Sequence, residues 1–225
     1  MNRRAFVIAA GAGVMALPFI PHLETAPAFQ ARPRTPEQRR RRAFPNVTLL
    51  THEGQEVHFY DDLLKDKTVI YHFMYTQCRD GFCGVTIANL ARVEKELKGR
   101  VGRDVFMYSI TLDPRHDTPA VLKKYRGHFT RNPGWVFLTS DKPQRIERLR
   151  RALGYWRRDP VEDADPARHV GHVQLGIEPL ERWCSAPGRL RAGAIKDYLC
   201  WMEPGGERPT PWMLAGRKER GGRLS

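Results

Sequence analysis

Cys78 and Cys83 flank Arg79-Asp80-Gly81-Phe82, where an apolar run gives way to a helical pattern. A thiol is both a soft metal ligand and a redox group. Cys83 falls near the start of the helix, where partial positive charge favours thiolate. Two thiolates on one loop can grip Cu(I), and they can also open and close a disulfide. The bland alternatives are a structural disulfide closing a surface loop, or two unpaired core cysteines. Placement at a strand-to-helix junction favours a working pair. Thioredoxin-type redox motifs place two residues between the cysteines. Four stand here, which points away from a fast reductase and toward metal binding or slow thiol chemistry. A peroxidase ranks lower still, because Thr76 lies two residues before Cys78, where three would be expected.

His169 and His172 stand just before and at the start of a late apolar run. Neutral imidazole is a common copper ligand, and one beside two thiolates completes a three-ligand set. Alone, either histidine reads as a solvated loop residue. His72 lies inside an apolar run and reads as a hydrogen-bonded core histidine. His22, His52, His58, His116 and His128 have no neighbours that raise them above surface residues. Asp113, in a polar turn, either orients a ligand or simply forms the turn. Cys184 and Cys200 lie beside Trp183 and Trp201, as a disulfide or as small buried hydrophobes.

The elements that must position these groups alternate. Val47–Leu50 and the residues after Gly54 suggest a hairpin. Thr68–Tyr75 reads as a buried central strand. Val85–Leu97 carries apolar residues at helical spacing. A second buried strand spans 105–112, and Asp117-Thr118-Pro119 opens a helix running to about Phe129. A strand at 134–138, a helix at 144–153, a strand at 172–177 and a helix at 192–201 follow. This order implies an α/β three-layer sandwich on a mixed sheet, with the cysteine loop at the carboxyl edge of the strands.

The chain has 225 residues and a formal charge of +13. Its arginines are spread, apart from Arg39–Arg42, and no nucleic-acid motif accompanies them. The charge therefore reads as solubility and attraction to anionic surfaces, including a membrane face, with no nucleic acid as partner. Residues 1–30 read as an export signal: Arg3-Arg4, an apolar run over Ala5–Ile20, and Ala26-Pro27-Ala28. Arg3-Arg4-Ala5-Phe6-Val7 resembles a twin-arginine leader. An uncleaved inner-membrane anchor ranks second, since a span needs about 20 apolar residues. The expected organisation is then a flexible basic tether over 31–43, a folded domain over 44–203 and a disordered tail over 204–225.

Five segments resemble the Sco/SenC family: Phe73-Met74-Tyr75-Thr76-Gln77-Cys78; Thr86-Ile87-Ala88-Asn89-Leu90; Tyr108–Pro114 with Asp117-Thr118-Pro119; Pro133–Thr139; and Arg168-His169-Val170-Gly171-His172-Val173. The resemblance implies a thioredoxin-like fold, exported to the periplasm or membrane-anchored. It implies copper as the cofactor, with Cys78, Cys83 and His169 as ligands, His169 being favoured over His172. It also implies a copper-receiving partner, a cytochrome c oxidase subunit whose CuA site is supplied or matured. A metallochaperone is thus expected ahead of an enzyme, the alternative being a thiol–disulfide oxidoreductase that reduces partner cysteines through Cys78 and Cys83. The chain departs from the family in having four residues rather than three between the cysteines, Gly84 in place of a proline, and His72 in place of an asparagine.

Overall fold

Thr68–Met74 (β3) is buried on both faces along nearly its whole length. A strand without a solvent face needs neighbours on both sides and layers above and below. The computed structural model, which describes residues 35–78, 81–165 and 171–209, supplies them. Val105–Thr111 (β4) pairs parallel to β3, and Trp135–Thr139 (β5) pairs parallel to β4. Beyond β5 lies the antiparallel hairpin Thr48–Thr51 (β1) and Glu56–His58 (β2). On the other flank, His172–Ile177 (β6) runs antiparallel to β3, and Arg182–Pro187 (β7) closes the sheet. The strand order is β2-β1-β5-β4-β3-β6-β7.

Alternation along β3 builds two cores. Ile70 and Met74 pack under one layer with Ile87, Leu90 and Val93 of Phe82–Glu96 (α2), Leu122 of Pro119–Arg126 (α3), and Ile195 and Leu199 of Ala192–Met202 (α6). Val69, Tyr71 and Phe73 face the other way. They meet Ile146 and Leu149 of Pro143–Ala152 (α4), Tyr155, and a π-helical turn over Phe59–Leu64. The result is the expected α/β three-layer sandwich on a mixed sheet. Among the described residues, no helix is long and apolar enough to cross a membrane.

Four features differ from the sequence-based expectation. Residues 36–43 form a helix (α1, Pro36–Ala43) where a flexible tether was expected, opened by a reciprocal Thr35–Gln38 capping box. No apolar period marks it because charge holds it in place. Arg40 Nη1 reaches Glu178 at 3.1 Å, Arg39 pairs with Glu181, and Arg41 pairs with Glu37 and Asp61. Strand β7 was not expected, since Arg-Trp-Cys-Ser-Ala-Pro lacks an apolar pattern; as an edge strand it tolerates its proline. A short helix, Pro160–Ala164 (α5), was also not foreseen. The first residues of the expected disordered tail fold back: the Gly206 N–H donates to the Glu203 carbonyl at 3.0 Å, and the Arg208 guanidinium lies 5.6 Å from the Trp201 ring centroid. Residues 1–34, with the expected export signal, and residues 210–225 lie outside the described residues.

Glu178 is 1% exposed, so its carboxylate depends on protein donors. It accepts from Arg40 Nη1, from Tyr60 Oη at 2.8 Å and from the Asp66 N–H at 2.9 Å. Removing one donor from a buried carboxylate leaves desolvation uncompensated. Arg40→Ala is therefore expected to cost about 1–3 kcal/mol in chemical denaturation and to open residues 36–43 to limited proteolysis.

Candidate metal centre

The chain leaves β3 at Met74 and re-enters regular structure at Phe82, so the loop between them sits at the carboxyl edge of the parallel strands. Gly81 takes the N-cap position of α2 with φ +70°, a left-handed conformation that suits glycine. Its N–H donates to the Cys78 carbonyl at 3.3 Å, and its own carbonyl accepts from the Val85 N–H at 3.0 Å. The loop is thus drawn into a tight turn.

No side chain caps α2. The second helical residue, Cys83, points its backbone N–H at Cys78 Sγ, 3.3 Å away. A helix N-terminus presents amides without partners and a partial positive charge. Here that field addresses the sulfur of Cys78. The helix start expected to face the Cys83 sulfur therefore has its second amide aimed at Cys78 instead. Cys83 itself is 1% exposed and packs into the core beneath α2, whereas Cys78 is half-buried. Tyr125 on α3 lies near both: its hydroxyl is pushed up to about 12, first by burial and then by the charges of Cys83, Cys78 and Asp117. At neutral pH it is an uncharged phenol under the thiols.

The approach to Cys78 is held by Asp117, which is fully buried. Its Oδ2 accepts from the Thr76 N–H at 3.0 Å and from Thr111 Oγ1 at 2.6 Å. Its Oδ1 accepts from Thr76 Oγ1 and faces His116 Nδ1 at 2.9 Å. Sequence reasoning offered Asp117 only as a helix cap. Thr118 caps α3, its Oγ1 accepting from the Val121 N–H at 3.4 Å. Asp113 forms the turn: its Oδ1 accepts from the His116 N–H and its carbonyl from the Asp117 N–H.

The histidines separate by face. His172 stacks on Tyr155, with ring centroids 3.9 Å apart, on the α4 side of the sheet and away from Cys83. Burial lowers its pKa. His72 is a core histidine as expected, its Nε2 lying 2.8 Å from Ser109 Oγ, which also accepts from Trp135 Nε1. His52 departs from the surface reading, whereas His116 keeps to it, its side chain 41% exposed. His52 is 7% exposed, its Nδ1 accepts from the Phe137 N–H, and burial lowers its pKa. His169 lies outside the described residues. Among the described residues, no three His, Cys, Asp or Glu side chains group to hold a metal. Cys184 and Cys200 are thiols rather than a disulfide; burial raises both, Cys184 to about 11.

Phe82 joins the cysteine loop to the start of β6. A Cβ built on Gly171 would stand 1.9 Å from the Phe82 ring, and the Arg189 guanidinium lies 5.5 Å from the ring centroid. The bare glycine is the seat of the ring. Gly171→Ala is therefore expected to cost about 1–3 kcal/mol, as overpacking does. The penalty should largely vanish in a Phe82→Ala background. Urea denaturation of the four members of that cycle checks the coupling.

The match to known proteins follows this geometry. The SCO1/SenC family model matches residues 35–175. A protein of Stutzerimonas stutzeri, named for copper binding, is 32% identical over 115 residues, 51% of this chain and 53% of its own length. The chain spans about half the length of the curated relatives it matches. Copper-bound ScoI of Bradyrhizobium japonicum superposes with a TM-score of 0.53 at 25% identity, covering 68% of this chain and 94% of that one. Copper-bound yeast Sco1 gives 0.55 at 21% identity, covering 76% and 93%. With more than half its length matched by the family model, the chain belongs to the SCO1/SenC family.

Proposed function

We propose that this chain is an exported copper-binding protein that delivers copper to, or matures, the CuA site of cytochrome c oxidase. Cys78, Cys83 and His169 are the copper ligands. The observation that carries this reading is the Cys83 amide aimed at Cys78 Sγ across the turn at Gly81. It brings two soft donors to one helix start despite the extra residue between them. Copper-bound relatives and a solved Sco described as a cytochrome c oxidase assembly protein support the metal and the process.

His169 is favoured over His172 because the latter's ring is committed to Tyr155 on the opposite face. Val173 and Leu175 of β6 face the core that contains Cys83, and His172 between Gly171 and Val173 turns away from it. Copper is cargo in this reading. It would pass by ligand exchange from Cys78, the more accessible thiol, to cysteines of the receiving protein. Residues 1–30 act as a twin-arginine-like leader to the periplasm. Membrane contact through Arg39–Arg41 would have to break the ion pairs that these residues make within the fold.

The second reading is a thiol–disulfide oxidoreductase, favoured by the contact between Cys78 Sγ and the helix amide. The Cys78 thiolate attacks a partner disulfide and one partner sulfur leaves as thiolate. Cys83 then displaces the second, so two electrons pass to the partner and the Cys78–Cys83 disulfide remains.

Anaerobic Cu(I) titration of the reduced chain separates the two. One-to-one binding should weaken about tenfold or more in each of Cys78→Ser, Cys83→Ser and His169→Ala. Binding indifferent to His169→Ala would overturn the copper reading and direct attention to the reduction potential of the pair.

A further inference from the structure

A half-exposed histidine sits at the rim of the site, outside the proposed ligand set. His116 is 41% exposed, and its Nδ1 lies 2.9 Å from the buried Asp117 carboxylate and 3.4 Å from Thr76 Oγ1. Its Nε2 lies 2.9 Å from Gln77 Nε2. A carboxylate on Nδ1 holds the proton there, which leaves the Nε2 lone pair to accept from the Gln77 amide. Gln77 immediately precedes Cys78. The arm that carries Cys78 is therefore held twice: at Thr76 by Asp117 from below, and at Gln77 by His116 from the solvent side.

We infer that His116 is a positioning residue for Cys78, acting through Gln77. The inference rests on Cys78 and Cys83 being the working thiols of the proposed function. Cys78 meets Cys83 through an amide-to-sulfur contact, at the end of a seven-residue loop over 75–81. Among the described residues, the hydrogen bond that holds the Gln77 side chain is the one to His116. Fixing Gln77 raises the local concentration of one sulfur at the other, which both a disulfide and a two-thiolate metal grip need. Asp117 orients the imidazole and His116 reaches the arm. Through the intervening protein, a buried carboxylate is thereby linked to an exposed amide beside the thiol.

Two isosteres divide the roles of the ring. His116→Asn keeps a donor near the Nδ1 position and loses the reach to Gln77. His116→Gln keeps a polar atom near Nε2 that can still accept from Gln77. In the metal-free full chain, equilibrated with glutathione buffers, His116→Asn and Gln77→Ala should each disfavour the Cys78–Cys83 disulfide about fivefold, the size of one lost hydrogen bond. That is about 20 mV toward the oxidising side for a two-electron couple. The double variant should lose no more than either single, His116→Gln should retain most of the wild-type value, and melting temperatures should stay together. Cu(I) affinity should follow the same ranking. Unchanged equilibria in the single variants, losses that multiply in the double, or a His116→Gln loss equal to that of His116→Asn would each overturn the inference. A wild-type chain that fails to bind Cu(I) removes the copper reading, while the glutathione equilibria still decide the role of His116.

Discussion

A carboxylate with no access to water governs how this protein presents its thiols. Asp117 is fully buried, so four protein donors must meet its two oxygens, and two of those come from Thr76. The requirement ties the residue after β3–Tyr75 to the turn before α3. Two loops that lie 41 positions apart in sequence become one rim. The ladder between β3 and β4 brings them level, with the Leu112 N–H donating to the Met74 carbonyl at 2.7 Å just above the last paired residues. Above that rim, Gly81 turns the chain and α2 offers the Cys83 amide to Cys78.

Where a residue's role followed from its immediate neighbours, the sequence was readable. Thr68–Met74 is apolar on both faces, and both faces are covered. Thr118 and Pro119 open a helix as residues of their types should. The cysteine loop lies at the carboxyl edge because a strand precedes it and a helix follows it. His72 belongs to the core because its flanking residues do. These are short-range or periodic signals, and tertiary packing reinforced them.

Roles that depend on distant partners were not readable. Asp117 looked like a cap because its donors at Thr76 and Thr111 share no local pattern with it. His116 is the surface residue it was read as, but its links to Thr76 and Gln77 were hidden because they come from another loop. The arginines of α1 looked like an unstructured tether because Glu178 and Glu181, which hold them, are about 140 residues away. Strand β7 lacked apolar alternation because the far edge of a sheet needs only one good face. The pair His169 and His172 could be ranked by family likeness. The physical ground for setting His172 aside, its stacking on Tyr155, belongs to the fold alone.

The placement of α1 has a mechanical consequence. Its arginines grip Glu178 and Glu181, just past the end of β6 that pairs with the beginning of β3. The thiols lie past the other end of β3, about 20 Å away along seven strand residues. The domain thus has its ion-paired helix at one pole and its two loop cysteines at the opposite one. A pull on that helix is borne by sheet hydrogen bonds, shared across β3 and its two neighbours, before it can reach the loop of Cys78. Force applied at α1 thus enters the sheet at the pole opposite the thiols.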